Sequence, residues 1–171
     1  PSITSAALNG DPTAFTLPKA KMAGRYDFSF SGLKTAVLRA VQREVGVDFT
    51  FPSHELAARL SESQRNDFAA SFQYTAVKTL VDTTSRAVQD YAPASVVIAG
   101  GVAANAELRR QLSERLTIPI EYAPPQLCTD NGAMIATLGY YYSLHNEPTS
   151  PYELDVVPSV SMTKTAWRNV V

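Results

Sequence analysis

The stretch "VVIAGGVAANAELRRQL", residues 96–112, decides the fold class. It opens on the β-branched run Val96–Ile98 and stops at Gly100–Gly101. Helical spacing returns from residue 103, so a buried strand is predicted to deliver the chain straight into a helix. Working outward, "TIPIEYA" (117–123) reads as a second short strand, and residues 130–144 as a further helix. Strand–helix–strand–helix predicts an α/β domain whose strands run parallel. Open sheets of this kind bind small molecules beyond the carboxyl ends of their strands, where Gly100 and Gly101 stand. With no Cβ at either position, a ligand can approach the backbone closely. Asn105, near the start of the helix, offers both a donor and an acceptor to a ribose or base. The same residues also suit a plain strand-to-helix turn with Asn105 near the cap, and the spacing is neither GxGxxG nor a P-loop. Both readings stay open on spacing alone.

Upstream, residues 1–26 form an irregular lead-in with a short helical turn at Ile3–Leu8. Phe28 and Phe30 alternate with Ser29 and Ser31, which predicts a half-buried strand broken by Gly32. A helix follows, with Leu33, Val37, Ala40, Val41 and Val45 along one side, ending near Gly46. Residues 55–91 are helical in spacing but long for one helix, so a break is expected around Ser61–Asn66. His54 is expected to cap or orient that stretch. Phe68, Phe72 and the run Tyr140–Tyr142 read as packing residues. Residues 147–171, with Pro148, Pro151 and Pro158, read as an extended tail, and there is no internal repeat.

A second candidate for chemistry is "QLCTDNGAMIA", residues 126–136. Thr129 and Asp130 both suit the N-cap of the helix that follows. The Asp130 carboxylate is also a hard oxygen ligand of the kind metals take, but capping is the stronger reading from chemistry alone. One carboxylate does not hold a catalytic metal, which usually takes three protein ligands, and nothing else in the sequence supplies the others. Cys128 is the single cysteine, and His54 and His145 are the only histidines.

Composition narrows the class. The chain has 171 residues, 45% hydrophobic and 18% charged, with a formal net charge of −1. That suits one soluble domain and argues against bulk attraction to nucleic acid. Lys19, Lys21, Arg25, Lys34, Arg39 and Arg43 nevertheless fall close together, either as an RNA-facing basic patch or as a solvated face. No signal peptide is read in the first thirty residues, the apolar runs are far short of a membrane span, and one cysteine suits a reducing, cytoplasmic compartment.

Three segments carry a resemblance. "DFSFSGLKTAV" (27–37), "GGVAANAELR" (100–109) and "CTDNGAMIATLG" (128–139) resemble, in order and spacing, the second half of the TsaD-like tRNA threonylcarbamoyladenosine-synthesis family, formerly called O-sialoglycoprotein endopeptidases or glycoproteases. The likeness covers most of residues 1–144 and is nearest the bacterial or organellar branch. It implies a lobe of the two-lobed actin, sugar kinase and heat-shock ATPase fold (ribonuclease H-like), with a mixed sheet and flanking helices. Residues 1–146 would form the second lobe and 147–171 a tail. It further implies transfer of a threonylcarbamoyl group from threonylcarbamoyl-AMP to the adenosine beside the tRNA anticodon.

By the same resemblance Asn105 would contact the nucleotide, with Gly100 and Gly101 letting it sit close, and Asp130 would ligate a divalent metal, iron or zinc. The two histidine ligands of that metal, spaced HxxxH in the family's first lobe, are absent from this chain. No catalytic residue is assigned, and the chain alone is expected to be inactive. The implied partners are tRNA, a paralogous subunit of the same fold and a small ATPase, with no membrane. Two alternatives are a metallopeptidase, as in the old family name, and a non-catalytic scaffold paralogue.

Overall fold

In the computed structural model, which describes residues 2–147, 150 and 152, the chain divides into two compact units, Pro1–Cys128 and Thr129–Val171. The first unit runs α1 (Ser2–Ala7), α2 (Ser31–Glu44), a 3-10 segment Ser53–Arg59, α3 (Glu62–Tyr91), β1 (Val96–Ile98), a 3-10 turn Gly101–Ala104, α4 (Ala106–Arg115) and β2 (Ile120–Tyr122). The second unit contains α5 (Gly132–Ser143). The tail expected at 147–171 lies almost wholly outside the described residues.

The expected break before α3 falls at Leu60–Ser61, where the backbone is extended. Ser61 Oγ accepts from Gln64 N (3.1 Å), and the Gln64 side chain accepts from Ser61 N (3.0 Å). This reciprocal cap satisfies two backbone donors that a helix start otherwise leaves unpaired. The helix ends at Ala92, in the left-handed region (φ 45°), just before Pro93. His54 plays no capping part: it is exposed within the 3-10 segment, with Nε2 3.7 Å from Glu55.

α3 serves two cores. Val77 and Val81 pack with Leu108, Leu112 and Leu116, against Val96, Ile98, Ile118 and Ile120. Phe68 packs with Val41 and Leu56 and stacks on Phe15, ring centroids 3.7 Å apart. The first core is the α/β layer. β1 and β2 pair in parallel with Val96 opposite Ile120 and Ile98 opposite Tyr122, and α4 makes the crossover between them. The expected α/β class therefore stands. Among the described residues the sheet is two-stranded and parallel, where a mixed sheet was expected.

The strand predicted over Phe28–Phe30 does not form. Among the described residues no strand lies alongside to complete a ladder, and both rings are exposed. Ser29 Oγ instead lies 3.0 Å from Ser31 Oγ and accepts from Ser31 N, turning the chain into α2 one residue before Gly32. α2 ends as expected near Gly46, whose φ of +72° needs glycine. Gly46 N bonds Arg43 O and Val47 N bonds Gln42 O, closing the last turn.

Candidate functional site

β1 leads to Gly100, held at φ +90°, a conformation that other residues rarely adopt. A Cβ placed on Gly100 or Gly101 would meet nothing within 4 Å, so this backbone is open to an approaching group. The chain then makes its 3-10 turn, with Ala103 N bonded to Gly100 O (2.9 Å). Arg109 fixes the turn from behind: its Nε donates to Ala103 O (2.6 Å) and its guanidinium stacks over Tyr122, 4.5 Å from the ring centroid.

Asn105 caps α4, its Oδ1 accepting from Leu108 N (2.9 Å). Its Nδ2 donates to Gln73 Oε1 at 3.3 Å, a long bond that a better acceptor could replace. The helix-cap reading of the sequence is therefore real, and it does not use up the amide. Asn105 and Gln73 line a groove of about 770 Å³ whose other walls are largely apolar: Phe68, Phe72, Ala76, Val77 and Leu80 from α3, Leu33 and Val37 from α2, with Ile3 and Val102. Lys34 and Thr4 complete its polar lining. Concave, mostly apolar sites with a few placed polar groups are the usual form of small-molecule sites. Gln73 is not singled out by the sequence, and Lys34 enters there only as part of the basic run, not as a wall of this groove. Gln73 had a signal, as a polar residue between the apolar positions Phe72 and Ala76 of α3.

In the second unit Asp130 is exposed, and it is not the cap of α5. Asn131 takes that place: its Oδ1 accepts from Met134 N (3.1 Å) and its Nδ2 donates to Thr129 O (2.9 Å). The capping role expected of Thr129 or Asp130 passes to their neighbour, because helical dihedrals begin only at Gly132. Asp130 is left with no hydrogen-bond or ion-pair partner among the described residues, and no cluster of three His, Cys, Asp or Glu that could hold a metal occurs among them. Asp130 can supply one ligand. The described residues do not by themselves fit a complete metal centre.

The basic run is partly neutralised. Lys19 pairs with Asp82 (2.6 Å), and Arg25 makes two bonds to Asp90 (2.6 and 2.7 Å). Arg39 lies over Phe49 and donates to Phe49 O and Gln42. Lys21, Lys34 and Arg43 have no acidic partner among the described residues. No described helix is long and apolar enough to cross a membrane.

Comparison with known proteins joins these features to a family. The family model for TsaD, tRNA N6-adenosine threonylcarbamoyltransferase, matches residues 1–137. Proteins of that name resemble the chain in Symbiobacterium thermophilum, 47% identical over 144 residues, and in Thermomicrobium roseum, 44% identical over 148 residues; each covers 82% of this chain. The Dehalococcoides mccartyi protein of the same name is 40% identical over 163 residues, 95% of this chain. The matches cover 38%, 40% and 44% of the respective relatives, so the chain spans less than half their length.

Proposed function

This chain belongs to the TsaD family of tRNA N6-adenosine threonylcarbamoyltransferases, and we propose on that footing that it forms the second lobe of such an enzyme. The reaction is an acyl-type transfer. The exocyclic nitrogen of an adenosine beside the anticodon attacks the carbonyl of threonylcarbamoyl-AMP. A carbon–nitrogen bond forms, the carbon–oxygen bond to phosphate breaks, AMP leaves and the nitrogen releases a proton.

The observation that carries this reading is the groove between α2 and α3, which Val102 and Asn105, from the segment after β1, also line. An adenosine moiety needs an apolar wall for its flat base and a few amide groups for its edge. Phe72, Val77 and Leu33 supply the wall and Asn105 and Gln73 the amides, while Gly100–Gly101, just before the lining residue Val102 in sequence, leave their backbone unobstructed. In this reading, Asp130 contributes one carboxylate to a divalent metal, iron or zinc, whose imidazole ligands come from outside the described residues. A paralogous subunit of the same fold and a small ATPase are the proposed partners in a cytoplasmic complex. The peptidase and scaffold alternatives are not favoured, because relatives at 40–47% identity carry the transferase name.

Asn105 allows a clean test. In the full-length protein carrying this chain, Asn105→Asp keeps the cap acceptor, since Asp and Asn cap about equally well, but removes the amide donor. Binding of AMP or of a stable adenylate analogue is expected to weaken about fivefold, with thermal stability nearly unchanged, one lost hydrogen bond being typically about 1 kcal/mol. Undiminished binding by the Asp variant would rule Asn105 out as a nucleotide contact.

A further inference from the structure

We propose that Phe28 and Phe30 form a stacking platform for unpaired bases of the RNA substrate, with Lys34 meeting an adjoining phosphate. The proposal rests on the tRNA reading above and adds to it a place where the nucleic acid is held.

The alternation of residues 28–31 would bury one face in a sheet, yet both rings stand in solvent, 47% and 37% exposed. They lie against each other, with centroids 5.7 Å apart and planes inclined at 57°. The segment that presents them is tied down on both sides. Before it, Arg25 and Tyr26 bind Asp90 of α3, and Arg86 donates to Arg25 O. After it, the Ser29–Ser31 hydroxyl contacts lead into α2. Two exposed aromatic rings on an anchored turn offer π-faces at little further ordering cost, and stacking on such faces tolerates any base.

The surrounding charge favours a polyanion. Lys34 lines the groove together with Phe30 and has no acidic partner among the described residues. Lys21, also without one, follows Ala20, which lines a smaller cleft with Phe30 and Ser29. The nearby acid, Asp27, is turned onto its own loop, where it accepts from Gly24 N at 3.2 Å. Lysine is depleted in protein–protein interfaces, whereas unpaired RNA is bound by combining cations with aromatic faces. Placement agrees as well: Phe30 lines the same groove as Asn105, so a base stacked there shares that groove with the proposed adenylate seat.

The test uses the full-length protein carrying this chain and measures transfer to tRNA, with the KM for tRNA and for the adenylate determined separately. Phe28→Ala is expected to raise the KM for tRNA about tenfold, and Phe28→Ala/Phe30→Ala further, with the adenylate KM of the Phe28 variant within about twofold. Phe28→Trp/Phe30→Trp keeps two π-faces and is expected to stay near the parent. Lys34→Gln is expected to lower the slope of log Kd for tRNA against log salt by about 0.7. An unchanged KM for tRNA in the double Ala variant would overturn the platform. So would an equal loss in the Ala and Trp pairs, which would mark the rings as a packing surface for other polypeptide. If the parent protein neither binds nor modifies tRNA, the transferase reading itself fails, a result distinct from either.

Discussion

Asp90 accepts two bonds from Arg25 and one from the Tyr26 hydroxyl, while Tyr26 also packs on Tyr91. Arg25 first, and then Tyr26, hold the Asp90 carboxyl down to about 2 from 3.8. The bond to Asp90, followed by desolvation, lifts Tyr26 to about 12 from 10.0. The signs follow from linkage. Asp90 is depressed, so its contribution is complete above 3.8 and lost as pH falls through about 2. Tyr26 is raised, so its contribution is complete below 10.0 and lost as pH rises through about 12. Denaturation midpoints of parent and Asp90→Asn should differ by a constant amount from about pH 4 to pH 10 and converge towards about pH 2. Convergence near pH 6 would mean that another group controls this tether. Asp130 yields a second prediction at this scale. Because Asn131 is the cap, Asp130→Asn should leave the melting temperature unchanged. In the full-length protein the same change should lower iron or zinc content, since a neutral amide is a weaker ligand than a carboxylate. Full metal retention would remove Asp130 from the ligand set.

Among the elements, α3 is held at its start by two independent devices. One is the Ser61–Gln64 capping box, so Ser61→Ala should cost about 1 kcal/mol in a denaturation experiment. The other is Gly10, where an added Cβ would overlap the Asn66 carbonyl. Gly10→Ala must push α1 away from α3 and should cost more than the cap does. Equal stability of the Ala variant and the parent would show that the approach is not tight in solution. Helix periodicity and stop signals were legible here: the break near Ser61, the end at Gly46 and the turn after Gly100–Gly101 all form where spacing and glycines put them. What failed depended on neighbours. A period-2 run becomes a strand only with a partner to pair with, and Phe28–Phe30 has none among the described residues. Thr129, Asp130 and Asn131 are all good caps, and only the point at which the backbone turns helical selects Asn131. The cap reading of Asn105 holds, and because a cap uses the side-chain oxygen, its nitrogen stays available to a ligand. Gln73 was missed, and Lys34 was legible only as part of a basic run, since membership of a groove is a property of three helices together.

For the molecule as a whole, the first unit leaves apolar side chains open on one face of β1 and in the groove beside α3. Val96 and Ile98 face the helical core, but Val97 on the other face of β1 is 65% exposed. Parallel sheets are normally covered on both faces. The groove between α2 and α3 is likewise lined by side chains that water solvates poorly, and such patches mark interaction surfaces. Relatives of the family are more than twice as long as the stretch matched here, which leaves ample polypeptide to cover these faces. If the groove holds the adenylate only when a second lobe closes over it, the 171-residue chain alone should transfer no threonylcarbamoyl group to tRNA above background. It should also bind an apolar fluorescent dye strongly, while the full-length protein carries out transfer and binds the dye weakly. Transfer by the isolated chain at the full-length rate would show that this unit holds a complete site, and the two-lobed reading would have to be given up.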